Sequence, residues 1–271
     1  MPNWLQIHRG DAPLVISMPH TGEDLMPGME RGLVNPWLAC KDTDWHVEKL
    51  YDFAHSFDVT TVRTTMSRTV IDVNRDPSGK SLYPGQTTTD LCPTTTFDGE
   101  ALYRPGHVPN AREITARRAS YFDPYHAALA GEIARLRSQH AKVVLLDAHS
   151  IRSTIPRLFD GVLPDFNIGT NSGASCESAL AGGAETICDS LGFSRITNGR
   201  FKGGWITRHY GKPAEGVHAI QIELACRAYM MEPPVIERAN WPCSFDEHWA
   251  APVRTALQRI VRFCLNFANT P

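Results

Sequence analysis

The stretch that most constrains the fold is Val143-Val144-Leu145-Leu146-Asp147-Ala148-His149-Ser150. Four apolar residues, two of them β-branched, run into an acid, a small residue, a histidine and a serine. That pattern predicts a buried strand with polar side chains at its C-terminal end, which is the edge where open α/β sheets hold their ligands. Leu14-Val15-Ile16-Ser17-Met18-Pro19-His20 repeats the arrangement, an apolar strand ending on a histidine. With 271 residues and 42% hydrophobic content, the chain can bury a full core. The expectation is a single α/β domain over 1–271, a mixed central β-sheet flanked by helices.

The 27 basic and 29 acidic residues are interspersed, so no basic face for nucleic acid is expected and a small-molecule substrate fits better. The N-terminal residues lack the pattern of a secretion signal, and no apolar run reaches the roughly 20 residues that span a bilayer; a cytoplasmic protein without membrane contact is expected. Seven cysteines, scattered and never in a C-x-x-C pair, argue against a disulfide framework or thiolate zinc site and are expected to be reduced and mostly buried.

Candidate site residues emerge along the chain. His20 and Glu23 form an H-x-x-E directly after a strand, a spacing able to hold one metal ion if a turn or helix follows; a hydrogen-bonded structural histidine is the alternative. Val47, Leu50, Tyr51 and Ala54 recur at helical spacing, making Asp44 either an N-cap of an amphipathic helix or a functional acid. Strands are predicted at 59–62 and 69–73. The second ends on Asn74-Arg75, an amide beside a planar guanidinium, suited to grip a carboxylate or to form salt bridges with Asp72 or Asp76. Residues 80 to 110 are rich in Pro, Gly, Thr and Tyr and predict a long loop of the kind that walls or covers a site.

A helical pattern spans about 111–139, with Pro124 placed to kink or divide it. Later come a short strand at 166–171 and a helix at 179–191 closed by Gly192. The stretch Phe201 to Gly211 is read either as an ordinary hairpin or as a ligand segment, in which Gly203 and Gly204 permit close backbone approach and Lys202 and Arg208 add charge. Val217 to Leu224 predicts an interior strand carrying Glu223 at its end, where a carboxylate needs a metal-bound water, an arginine or a histidine as partner. Ser244-Phe245-Asp246-Glu247 is read as a capping box opening a final helix to about Phe267.

Pro19-His20-Thr21-Gly22, Asp42-Thr43-Asp44-Trp45-His46, Val73-Asn74-Arg75, Asp147-Ala148-His149-Ser150, Gly203-Gly204-Trp205-Ile206-Thr207-Arg208 and Gln221-Ile222-Glu223-Leu224, taken in order, resemble the N-formylglutamate amidohydrolase (deformylase) family. That family is similar in turn to the zinc carboxypeptidase and deacylase superfamily, with its phosphorylase/hydrolase-like sheet flanked by helices. The resemblance implies a zinc-dependent amidohydrolase that cleaves N-formyl-L-glutamate to L-glutamate and formate, a step of histidine degradation. It implies zinc or another divalent ion on His20, His149 and Asp44, with Glu23 as rival third ligand, and Glu223 as general base. Arg68 or Arg208 would be the oxyanion cation, and Asn74, Arg75, Lys202, Gly204 and Arg208 substrate contacts. A zinc deacylase or peptidase acting on another N-acyl amino acid and a metal-free dicarboxylate-binding protein are the alternatives.

Overall fold

The computed structural model describes residues 2–270. Seven strands form one mixed sheet: β1 (Leu5–His8), β2 (Leu14–Met18), β3 (Thr60–Thr64), β4 (Val143–Ile151), β5 (Phe166–Gly169), β6 (Arg195–Thr197) and β7 (Val217–Ala225), in the spatial order β1-β3-β2-β4-β7-β5-β6. Strands β3, β2, β4 and β7 run parallel, while β1 and β5 pair antiparallel with β3 and β7. Every residue of β4 and β7 is buried, as expected of central strands covered on both faces.

The covering layers divide by strand parity, because successive side chains point to opposite faces. Val144, Leu146 and Ala148 of β4, with Ile220, Ile222 and Leu224 of β7, pack among α1 (Val47–Leu50), α4 (Ser178–Ser190) and the long C-terminal α6 (Glu247–Asn269). Val143, Leu145, Val217 and Ala219 face the other way, towards Tyr125, Leu129, Ile133 and Leu136 of α3 (Asp123–Arg137) and Ile206 of α5 (Trp205–Tyr210). Continuing that second face to the C-terminal ends brings up Asp147, His149, Gln221 and Glu223. Register pairs Asp147 with Gln221 and His149 with Glu223, so the sheet itself sets the four polar side chains in two adjacent rows.

Several elements depart from the sequence reading. The 69–73 run is not a strand: β1 and β2 already occupy both edges of β3, and the segment's backbone is spent on turns, Val70 N donating to Ser67 O and Asp72 N to Leu91 O. Its Val70, Ile71 and Val73 are buried as an irregular segment of the core. The predicted amphipathic helix after Asp44 shortens to the single turn α1, preceded by His46 at φ 63° and followed by a 3-10 segment, Asp52–Phe57. Asp44 is therefore not its N-cap. Residues 205–210 are helical and not half of a hairpin. The last helix is capped by Asp246, which accepts from His248 N and Trp249 N, instead of by Ser244. Pro124 does divide its helix, with a π turn at Arg118–Phe122 between α2 (Ala111–Arg117) and α3, accommodating the missing amide. Strands β1 and β6, three or four residues each, lacked enough periodicity to be predicted. The seven cysteines are all free and five are buried. Among the described residues no helix is long and apolar enough to cross a membrane.

Candidate active site

Three segments converge at the C-terminal edge of β2 and β4. His20 follows β2, His149 lies within β4, and Asp44 arrives on the loop before α1, its backbone N–H donating to the His20 carbonyl at 2.9 Å. Asp44 Oδ2 lies 2.9 Å from His149 Nδ1 and 3.6 Å from His20 Nδ1. All three residues are buried, and one ligand atom from each lies within 4.8 Å of the others. Burial alone would raise the Asp44 carboxyl, yet the two imidazoles outweigh it and hold the group well below the usual carboxylate range. His149 is driven the other way: burial disfavours its charged form, but Asp147 and Asp44 raise it well above an ordinary imidazole.

The far nitrogens of both rings face carboxylates. His20 Nε2 donates to Asp72 Oδ1 at 2.7 Å, and His149 Nε2 sits 3.1 Å from Asp147 Oδ2. Carboxylates behind imidazoles are the usual support of metal-ligating histidines, since they fix ring orientation and raise ligand basicity. Two imidazole nitrogens and one carboxylate oxygen converging in a buried pocket, with both rings braced from behind, fit a divalent ion that keeps an open coordination position. Glu23 stands apart from this cluster. Its loop runs beside residues 65–67, with Gly22 and Asp24 bridged to Ser67 and Met66, so His20 and Glu23 do not share the face of a turn, and the Glu23 side chain is exposed.

Asp72 is completely buried and holds more than His20. Arg68 Nη2 donates to it at 2.6 Å, Arg75 Nε lies at 3.4 Å, and the Asn74 backbone N–H donates to Oδ1 at 2.9 Å. Burial works against its charge, but His20, Arg68 and Arg75 together keep its carboxyl well below the usual range. Arg68 also approaches Asp44 Oδ1 at 3.8 Å and lies over the Phe97 ring at 4.8 Å.

Asn74, expected beside Arg75 as a substrate clamp, lines the pocket and is also bonded within the protein, its Nδ2 lying 2.8 Å from His149 Nε2. Its Nδ2 donates to Asp147 at 3.0 Å, its Oδ1 accepts from Ile206 N at 2.7 Å, and its carbonyl accepts from Trp205 N. It therefore ties the start of α5 to the carboxylate behind His149. Gly204, which also lines the pocket, allows this contact, because a Cβ there would stand 2.5 Å from the Asn74 amide. Gly204 N donates to Gln221 Oε1 at 2.8 Å, and Gln221 Nε2 donates to Glu223 Oε2 at 2.8 Å. Glu223 is thus held from the side by an amide. Burial is the largest influence on its carboxyl; His149 and Arg68 oppose it, Asp44 and Asp147 reinforce it, and the result is about 7.

These groups open onto one pocket, a cavity of about 70 Å³. Its walls include His20, His149, Glu223, Arg68, Arg75, Arg200 and the Thr87-Thr88-Thr89 run of the long loop. Lys202 and Arg208, expected in the site, are not part of its lining. Arg208 folds back to donate to the Gly203 carbonyl at 2.8 Å and lies over the Tyr83 ring, and Lys202 contributes a backbone N–H to Tyr83 Oη. Arg200 lines the pocket instead. Sequence reasoning left out Asp72, Gln221 and Arg200 as site residues. Gln221 stands two places before Glu223 on the same face of β7, a signal that was readable; nothing around Arg200 distinguishes it from a surface arginine.

Fold and pocket together define an α/β protein with a buried two-histidine, one-carboxylate cluster at a sheet edge and a cavity lined in part by three arginines. Residues 12–230 match the N-formylglutamate amidohydrolase family. The chain is 51% identical over 233 residues to an N-formylglutamate deformylase of Pseudomonas aeruginosa, covering 86% of this chain and 87% of that one. It is 45% identical over 266 residues to an N-formylglutamate deformylase of Pseudomonas putida, covering 98% and 97%. The crystal structure of an N-formylglutamate amidohydrolase from Ralstonia eutropha superposes with a TM-score of 0.80 at 23% identity over 97% of this chain and 98% of that one. The protein belongs to the N-formylglutamate amidohydrolase family.

Proposed function

We propose that this protein hydrolyses N-formyl-L-glutamate to L-glutamate and formate, with zinc held by His20, Asp44 and His149. The observation that carries the proposal is the single pocket in which the two histidines, Glu223 and three guanidiniums face one another. The two Pseudomonas deformylases of high identity support the choice of substrate. When bound, the ion would act as a Lewis acid on the formyl carbonyl and on the attacking water.

The chain's own residues do the rest. Glu223, fixed by the Gln221 amide, accepts a proton from water as its oxygen adds to the formyl carbon. Arg68, backed by Asp72 and stacked on Phe97, sits beside Asp44 to offset the negative charge developing on the formyl oxygen. The C–N bond then breaks, and the proton carried by Glu223 passes to the departing nitrogen; the second proton of the water follows, giving glutamate with its α-amino group protonated, and formate. Arg75, partly balanced by Asp72 and donating to Thr89 Oγ1 at 2.9 Å, receives the α-carboxylate.

The test is Glu223→Gln, assayed for metal content, N-formylglutamate binding and formate release on one preparation. The expected variant keeps its metal and ligand binding and loses about a hundredfold to ten-thousandfold in turnover, the range for positioned proton transfer. Retained turnover would remove Glu223 from the mechanism. A wild-type enzyme that releases no formate from N-formylglutamate would refute the proposed substrate.

A further inference from the structure

The three arginines of the pocket differ in how their charge is met. Arg68 has Asp72 at 2.6 Å and Asp44 at 3.8 Å, and Arg75 has Asp72 at 3.4 Å. Arg200 has no carboxylate partner among the described residues, yet it is not free to move. Its Nε donates to the Leu158 carbonyl and its Nη2 to the Thr87 carbonyl, both at 2.9 Å, and its guanidinium lies 5.3 Å from the ring centres of both Tyr83 and Phe201. Among the described residues no hydrogen bond uses its Nη1. An arginine clamped by two carbonyls and two rings, partly withdrawn from water and with Glu223 acting on it only from beyond ion-pair distance, is left with room for an anion to complete it.

Position indicates what that is. Arg68 adjoins the metal-binding cluster through Asp44; Arg75 shares Asp72 with Arg68 and extends to Thr89; Arg200 bonds to Thr87 of the same loop. The guanidiniums are therefore linked in the order Arg68, Arg75, Arg200, the first two through Asp72 and the last two through the Thr87-Thr88-Thr89 segment. An N-formylated dicarboxylic amino acid has three negative points in the same sequence: the developing oxyanion at the formyl group, the α-carboxylate, and the side-chain carboxylate furthest out.

We infer that Arg200 is the specificity-determining residue that receives the distal, side-chain carboxylate, with the Thr87–Thr89 segment as the wall that sets its distance from the reacting carbon. This rests on the proposed substrate class and assigns within it the residue that separates an acidic side chain from its neutral isostere. A guanidinium fork suits a carboxylate far better than a carboxamide, whose NH₂ group it cannot accept from.

The experiment compares glutamate with glutamine, as free amino acids in calorimetric titration and as their N-formyl derivatives in formate release, using wild type, Arg200→Met and Arg200→Lys. Wild type is expected to favour the acid over the amide at least tenfold in both measurements. Arg200→Met should bring that ratio to within about threefold of unity, the loss in kcat/KM on N-formylglutamate exceeding that on N-formylglutamine. Arg200→Lys, which keeps a charge, should recover part of the preference. Equal losses on both compounds in Arg200→Met would mean that Arg200 only supports the loop, and an unchanged ratio would place the distal carboxylate elsewhere; either outcome overturns the inference. Absence of formate release by wild type, with the glutamate-over-glutamine binding preference intact and dependent on Arg200, would instead refute the proposed reaction and leave the carboxylate site standing.

Discussion

Replacing Asp72 by asparagine probes the junction between the metal-binding cluster and the arginine wall. The substitution keeps the size of the side chain but removes a charge that receives His20 Nε2 at 2.7 Å and Arg68 Nη2 at 2.6 Å, with Arg75 Nε at 3.4 Å, in a position with no solvent exposure. Breaking a buried ion pair from one side costs roughly 3–5 kcal/mol, and here a single carboxylate serves two guanidiniums. The loss in unfolding free energy is expected at the upper end of that range. Removing the carboxylate behind a ligating histidine costs about 10–100-fold in metal affinity, so both effects should appear in one variant. The pH dependence carries a sign. Asp72 is held well below the usual carboxylate range when folded, so the stability it supplies is present in full above the ordinary carboxylate pKa and is lost as acid titrates through the folded one. Asp72→Asn should therefore lie below wild type at neutral pH, with the two curves converging in acid. The assays are urea unfolding from neutral pH into acid and competition for zinc with a calibrated chelator. A variant within 1 kcal/mol of wild type, with metal affinity unchanged within threefold, would refute the picture of Asp72 as a shared anchor.

Two more tests address other parts of the molecule. Asp44→Ala should abolish stoichiometric metal binding while Glu23→Ala retains it; the reverse result would move the third ligand to the exposed loop. His126, on α3 and facing the segment before Arg75, contacts the Tyr210 hydroxyl and the Val73 carbonyl; burial and His209 depress it against the opposing influence of Val73, Asp147 and Asp123, pushing it down to about 4. Since the unfolded imidazole titrates near about 6.5, folding stability should fall by roughly 3 kcal/mol as pH drops from about 6.5 to 4. His126→Asn should flatten that slope, and identical slopes would show that another group titrates.

What could be read from the sequence follows from how locally each property is determined. The strands β2, β4 and β7 announced themselves as apolar runs ending in polar residues, because a central parallel strand must be apolar on both faces and can carry polar groups only where it leaves the core. His20, His149 and Glu223 were visible for that reason. The Thr69–Val73 run shows the limit: its β-branched residues are buried as expected, but whether a buried segment joins a sheet depends on a free edge, and β1 had taken it. The roles of the basic residues were harder to assign, since side-chain direction at the end of an irregular loop is set by distant partners. Arg208 turned to the Gly203 carbonyl, and Arg200 was fixed by Leu158 and Thr87, contacts across the fold that leave no trace in nearby spacing. Asp72 and Asn74 lay in a segment already marked as functional, yet their work is to brace other residues, which only the assembled packing reveals.

The pairing of His149 with Glu223 across β4 and β7 means that the interval between a candidate metal ligand and the candidate base is measured out by backbone hydrogen bonds. Neighbouring strands stand about 4.8 Å apart whatever their side chains, and a slip of one residue would turn either group to the opposite face. The reacting geometry is therefore as durable as the sheet, indifferent to drift in the surrounding loops and intolerant of a single insertion or deletion within either strand. The loop carrying Thr87 to Thr89 has no such restriction, and a chain built this way can change the molecule it accepts while keeping the distances at which it cuts.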